Sequence, residues 1–238
     1  MLTQRTIIIT GASSGIGKET AVQLLNAGHR VVGMARDFTK SGVQSREFHN
    51  VSIDFADPGA CEASLKQLAK TITGITDIVC CAGAGRFGSL EEFSFNQIRE
   101  LMDINFVSQA CVVRAFLPQL KQHGRGNIVF VGSEAALTGS RRGSVYCASK
   151  FAVRGFAQAL REECGGNGIR VGIVNPGMVK TPFFDRLDFT HGESTENYIE
   201  PADVASAIIW ILNSRAETVI DEINLSPLKK VITKKPVT

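Results

Sequence analysis

Tyr146 and Lys150 stand four residues apart in the string Tyr146-Cys147-Ala148-Ser149-Lys150. On a helix that spacing puts a phenol and an ammonium on one face, a turn apart. A free tyrosine titrates near pH ~10 and a free lysine near ~10.4, so neither exchanges protons readily at neutral pH by itself. A cation held beside the phenol favours the phenolate and brings its proton within reach of a substrate oxygen. The string is common on helix surfaces, and its surroundings make it informative. Ser133 lies 13 residues upstream, in Val131-Gly132-Ser133 at the end of an apolar run. A hydroxyl at the carboxyl end of a strand can donate to a carbonyl and hold it beside the phenol.

A second chemical feature is Thr10-Gly11-Ala12-Ser13-Ser14-Gly15-Ile16-Gly17, which follows a β-branched run and opens a segment of helical period. Glycines let the backbone turn tightly and approach a pyrophosphate closely. The helix N-terminus then supplies unpaired N–H groups and partial positive charge. Lodged between a first strand and a first helix, the turn points to a dinucleotide. An acidic residue at the end of the second strand would bond both ribose hydroxyls and repel a 2′-phosphate. This sequence has Gly33-Met34-Ala35-Arg36-Asp37 instead. Arg36 can pair with a phosphate and stack on adenine, which favours NADP(H) over NAD(H). Asp37 would reach the ribose only in a slipped register.

The glycine spacing is Thr-Gly-x-x-x-Gly-x-Gly. Together with Ser133, Tyr146 and Lys150 it resembles the classical short-chain dehydrogenase/reductase family, over nearly the whole chain. The resemblance implies hydride transfer between NADP(H) and a carbonyl/alcohol pair. Tyr146 would exchange the proton, Ser133 would hold the substrate oxygen, and Lys150 would also hold the nicotinamide ribose hydroxyls. Asn105 matches a fourth member, which interrupts its helix and binds a water linking the lysine to solvent. Gly11, Ser13, Ser14, Gly15, Ile16 and Gly17 would surround the diphosphate and adenosine ribose, and Asp54 with Phe55 the adenine. Ala82 and Gly83 would line the cofactor cleft, and Pro176, Gly177, Val179 and Thr181 would bind the carboxamide and phosphates. Where the family has Asn-Asn-Ala-Gly this chain has Cys80-Cys81-Ala82-Gly83. That departure removes side-chain hydrogen bonds but no proton-transfer group, and two small buried apolar residues are expected there. The resemblance also implies a homodimer or homotetramer, formed through the two long helices 95–116 and 146–164.

These groups need a scaffold, and apolar runs of strand length alternate with segments of helical period. Strands are expected at 6–10, 30–34, 51–55, 77–81, 126–131, 169–175 and 222–225. A helix capped by Asp57, with Pro58 at its first position, follows the third strand. Ser94 and Gln97 form a capping box for a long helix through Phe116. Helices 146–164 and 201–213 complete the pattern. The expected fold is α/β: a Rossmann-type, doubly wound, mainly parallel seven-stranded sheet with helices on both faces, one domain over 1–238. Residues 181–200 have no clear period and read as a substrate lid. They contain Phe183, Phe184, Leu187, Phe189 and Tyr198; with Phe87 and Leu137 from the loops after the fourth and fifth strands, they suit an apolar substrate body.

The 238 residues carry 44% hydrophobic and 21% charged side chains, an ordinary globular balance. Net charge is +3, and Lys229, Lys230, Lys234 and Lys235 supply +4, so the remainder sums to 3 − 4 = −1. The basic excess thus sits on the segment 228–238, which reads as a solvated tail rather than a nucleic-acid surface. No apolar run approaches the ~18 residues that span a bilayer, and the first strand begins too early for a leader. The expectations are a cytoplasmic protein with a small-molecule carbonyl or alcohol substrate, and neither nucleic acid nor membrane as partner. The six cysteines show no metal-site spacing and read as reduced thiols. Two rival readings are a non-catalytic NADP(H)-binding regulatory or scaffolding protein, and an epimerase or dehydratase on the same fold. The first usually lacks the tyrosine or lysine; the second usually has a longer substrate region.

Overall fold

Runs such as Ile7-Ile8-Ile9 offer no polar face to water, so a strand made of them must be covered on both sides. In the computed structural model, which describes residues 4–235, that is what happens. The strands are β1 (Thr6–Thr10), β2 (Arg30–Ala35), β3 (Phe48–Ser52), β4 (Asp77–Cys80), β5 (Gly126–Val131), β6 (Ile169–Pro176), β7 (Phe189–His191), β8 (Glu222–Leu225) and β9 (Ile232–Lys234). The α-helices are α1 (Gly15–Asn26), α2 (Pro58–Thr71), α3 (Phe95–Met102), α4 (Ser108–His123), α5 (Ser144–Cys164) and α6 (Pro201–Asn213). Seven strands pair in the order β3-β2-β1-β4-β5-β6-β8, each neighbouring pair parallel.

Side chains alternate across the sheet. Ile7 and Ile9 pack with Ala21 and Leu24 of α1 and Val204 and Ile208 of α6. Ile8 points the other way, into a cluster with Leu65 of α2, Phe116 of α4 and Val153 of α5. Each fully buried isoleucine contributes roughly 1.5–3 kcal/mol of apolar burial. Helices therefore leave β1 and β4 toward opposite faces, and a crevice opens between the carboxyl ends of these neighbouring strands, the topological switch point. Among the described residues no helix is long and apolar enough to cross a membrane.

Several elements differ from expectation. β3 runs from Phe48 to Ser52 rather than 51–55; it is an edge strand with half-exposed side chains, so no apolar run marks its start. Phe55 lies beyond it and points into the core. The helix expected over 95–116 is not continuous. Ser94 accepts from Gln97 N–H at its start as foreseen, but a π turn at Asp103–Val107 separates α3 from α4. α4 then continues to His123 with Pro118 inside it, ending on Gly124 in the left-handed region. The segment 181–200 is not structureless, because β7 lies within it and pairs antiparallel with β9. For the same reason the lysine-rich segment is not a free solvated tail as far as Lys235; its last three residues lie outside the described residues.

Candidate active site

The glycine turn is built without room for side chains. Gly11 and Gly15 take φ of +68° and +52°, a left-handed backbone that a Cβ resists. A Cβ on Gly17 would overlap the Gly11 carbonyl oxygen, and one on Gly11 would lie 3.0 Å from the Ala82 backbone. Ser14 occupies the N-cap of α1 without a side-chain cap hydrogen bond. The first N–H groups of α1 are thus left for an anion, an arrangement that fits a dinucleotide diphosphate.

Arg36 is exposed at the end of β2 and lines an open depression with Asp37, Phe38, Thr39, Asn50 and Ser52. Ser52 Oγ donates to the Arg36 carbonyl at 2.8 Å and fixes the backbone there. The Asp37 carboxylate is drawn back onto Thr39, whose N–H and hydroxyl donate to it at 2.8 and 2.9 Å. Those bonds, the backbone one foremost, hold its carboxyl below the usual range. Asp54 is exposed and accepts from Ala56 N–H at 3.0 Å.

At the carboxyl ends of β5 and β6 lies a pocket open to solvent. Ser133, Tyr146 and Lys150 line it together with Ile16, Cys81, Gly83, Pro176, Gly177, Val179, Thr181, Phe183 and Phe184. Ser133 follows β5 and accepts from Ala135 N–H at 3.1 Å. Tyr146 sits in the first turn of α5 and Lys150 one turn on, both buried. The Lys150 ammonium donates to the Val131 carbonyl at 3.1 Å and lies 6.0 Å from the centre of the Tyr146 ring. Burial pushes the Tyr146 phenol up to about 12, with the Ser133 hydroxyl pulling the other way. Burial likewise pushes the Lys150 ammonium down to about 8, with Cys81 opposing.

Asn105 is buried in the π turn. Its Oδ1 accepts from Ala84 N–H at 2.8 Å, and its Nδ2 donates to the Ala84 carbonyl at 3.0 Å and to Ser149 Oγ at 2.9 Å. It clamps the loop after β4 to α5. A Cβ on Gly83 would lie 3.3 Å from Asn105 Oδ1 and 3.5 Å from Lys150 Nζ, so Gly83 keeps a notch open between them.

Around the phenol, the Phe87 ring centre lies 4.9 Å from that of Tyr146, and the Phe183 ring 6.0 Å from it. Phe189 packs on Phe87 at 5.0 Å and Phe184 on Phe183 at 5.2 Å. Leu137 caps the short turn after Ser133 and does not line the pocket. Phe55 does not line it either, its ring being spent in the core.

Two contributors escape sequence reasoning. Thr10 Oγ1 donates to Gln109 Oε1 at 2.9 Å and accepts from Ala82 N–H at 2.9 Å. Gln109 Nε2 in turn donates to the Ala82 carbonyl at 3.2 Å. This network joins β1, the loop after β4 and α4, where the Cys80 and Cys81 thiols offer only weak hydrogen bonds. The only available signal was a glutamine on the core-facing side of a helix. The second contributor is Gly85, where a Cβ would overlap the Phe183 ring.

A family profile described as short chain dehydrogenase matches residues 5–191. An uncharacterized oxidoreductase of Staphylococcus haemolyticus is 29% identical over 232 residues, 95% of this chain and 99% of its own. Retinol dehydrogenase 8 of Bos taurus is 35% identical over 192 residues, 77% of this chain and 62% of that protein. An alcohol dehydrogenase from the archaeon Thermococcus sibiricus, complexed with 5-hydroxy-NADP, shares the fold with a TM-score of 0.83 at 24% identity, covering 96% of this chain and 99% of that one. With the glycine turn, the parallel sheet and the matched span taken together, the chain belongs to the short chain dehydrogenase family and is an oxidoreductase of that type.

Proposed function

We propose that the chain transfers hydride between NADP(H) and a carbonyl/secondary-alcohol pair, with Tyr146 as the proton-exchanging group. The observation that carries this reading is a single pocket shared by the Tyr146 phenol, the Ser133 hydroxyl and the Lys150 ammonium. When bound, the dinucleotide supplies or accepts the hydride. The glycine turn and the N-terminus of α1 would hold its diphosphate, Arg36 its 2′-phosphate, Lys150 a ribose, and Val179 and Thr181 the carboxamide side. The withdrawal of Asp37 onto Thr39 supports the phosphate-bearing cofactor, since it removes the nearest carboxylate from competition.

Ser133 holds the substrate oxygen beside the phenol. Tyr146 keeps its proton at neutral pH, since burial raises its phenol, and in the reductive direction it would pass that proton to the substrate oxygen. Lys150 then favours the phenolate that remains. Residues 181–200 act as the lid, and Phe183 and Phe184 form an aromatic wall that keeps water out and suits an apolar substrate body, while Phe87, expected in the lining, instead backs the Tyr146 ring from outside it. The name of the bovine relative, a retinol dehydrogenase, points the same way. Exposed Val107 and Phe151, at 36% and 43%, lie on the two helical segments that would pair in a homodimer or homotetramer.

The test is NADPH oxidation against a panel of ketones, aldehydes and 3-oxoacyl compounds. Turnover is expected on apolar carbonyls and is expected to vanish in Tyr146→Phe, while NADPH titration of that variant stays within about twofold of wild type, since the phenol chiefly serves the chemical step. Wild-type rates in Tyr146→Phe would overturn the assignment.

A further inference from the structure

The segment from Pro227 to Lys235 is bonded to the lid along most of its length. Lys229 N–H donates to the Glu196 carbonyl at 2.8 Å, Gly192 N–H to that of Val231 at 3.1 Å, and Lys235 N–H to that of Asp188 at 2.8 Å. Asn197 Nδ2 donates to the Lys229 carbonyl at 3.1 Å, and the Lys235 ammonium donates to the carbonyls of Phe184 and Asp185. With the β7–β9 pairing, lid and segment form one unit.

A different contact leaves that unit. Lys230 Nζ lies 2.7 Å from Glu134 Oε2, with 32% of the Glu134 side chain and 57% of the Lys230 side chain exposed. Glu134 stands between Ser133 and Ala135, the residue whose N–H donates to Ser133 Oγ. The same carboxylate flanks Gly177: a Cβ there would lie 3.3 Å from Glu134 Oε2 and 3.1 Å from Pro227 Cδ. Glu134 therefore sits where the end of β5, the end of β6 and the C-terminal segment meet.

We propose that Lys230 is a positioning residue: through Glu134 it fixes the lid unit against the loop that carries Ser133. The spacing between the aromatic walls and the phenol–serine pair is then set from the C-terminal segment, which becomes part of the substrate site. A half-exposed ion pair contributes too little to hold the fold together. Whatever it contributes enters the balance between closed and open lid, and so the apparent affinity for substrate. The kinetic arm of the test rests on the function proposed above; the exchange arm does not.

In Lys230→Met, KM for the carbonyl substrate is expected to rise about two- to fivefold with kcat little changed, the span that a pair of this exposure carries. Lys230→Arg keeps the wild-type KM. Lys230→Met made in a Glu134→Gln background adds no further rise. Hydrogen exchange of the amides in 184–192, measured on the protein alone, quickens in Lys230→Met. It does not quicken in Arg215→Met, which removes an exposed ion pair to Glu217 instead. Independent, multiplying effects of the two substitutions, or lid exchange unmoved in Lys230→Met, overturn the proposal. A wild type inactive on every carbonyl would defeat the functional reading, and the exchange measurement would still decide on Lys230.

Discussion

Lys150 bears a desolvation cost at the place where the proposed chemistry puts it. Burial holds its ammonium down at about 8, against ~10.4 for a free lysine. Below pH 8 folded and unfolded chains both carry the proton, and the folded state bears the whole desolvation penalty. Between about 8 and 10.4 only the unfolded chain keeps it, so this contribution to stability improves as pH rises. Lys150→Met should therefore abolish turnover yet raise the thermal midpoint at pH 7 by a few degrees, on the order of 1–2 kcal/mol after the Val131 carbonyl loses its donor. Calorimetry at pH 7 and pH 10 checks this, since the gain should shrink at the higher pH. At the other end of the crevice, Arg36→Ala should lower the ratio of kcat/KM with NADPH to that with NADH about ten- to a hundredfold, the worth of one or two hydrogen bonds from a charged group. An unchanged ratio would mean that Arg36 does not read the 2′-phosphate. That Tyr146, Lys150 and Ser133 meet in one pocket was legible in the sequence, because helix geometry and a strand end fix where they point. Gln109 was not, because its partners Thr10 and Ala82 come from distant elements.

At the scale of elements, legibility followed burial. β1, β5 and α6 stood out because both faces of a central parallel strand, or one full stripe of a helix, must be apolar. β3, β7 and β9 are edge or two-stranded pieces with few buried side chains, so the same signal is missing. The π turn was legible only as a family habit of Asn105, since Asp103–Val107 has no breaker of its own. Where the loop after β4 meets the lid, Gly85 lets the Phe183 ring lie against bare backbone. Gly85→Ala should push that ring toward the phenol and narrow the slot. We expect kcat/KM to fall at least about tenfold more for a bicyclic aryl ketone than for a short aliphatic one, the factor that an ill-fitting apolar group costs. Equal losses on both substrates would show that the ring moves elsewhere.

For the molecule as a whole, the two apolar faces of one sheet are both satisfied within the chain, by α1 and α6 on one side and α2, α4 and α5 on the other. What remains apolar and exposed includes Phe95, Phe151 and Trp210. If α5 lies at a subunit contact, Phe151→Asp should shift the mass seen by light scattering toward the monomer without unfolding the chain. A monomeric wild type would remove the oligomer from the reading. The pairing of β9 with β7 also has a temporal meaning. A nascent chain that has emerged as far as Leu225 already possesses every strand of the large sheet and the whole glycine turn. It still lacks Lys230, which must meet a carboxylate 96 residues earlier. During synthesis the glycine turn and the large sheet can therefore assemble first, and the aromatic wall is completed only once the segment through Lys235 has emerged and β9 has paired with β7.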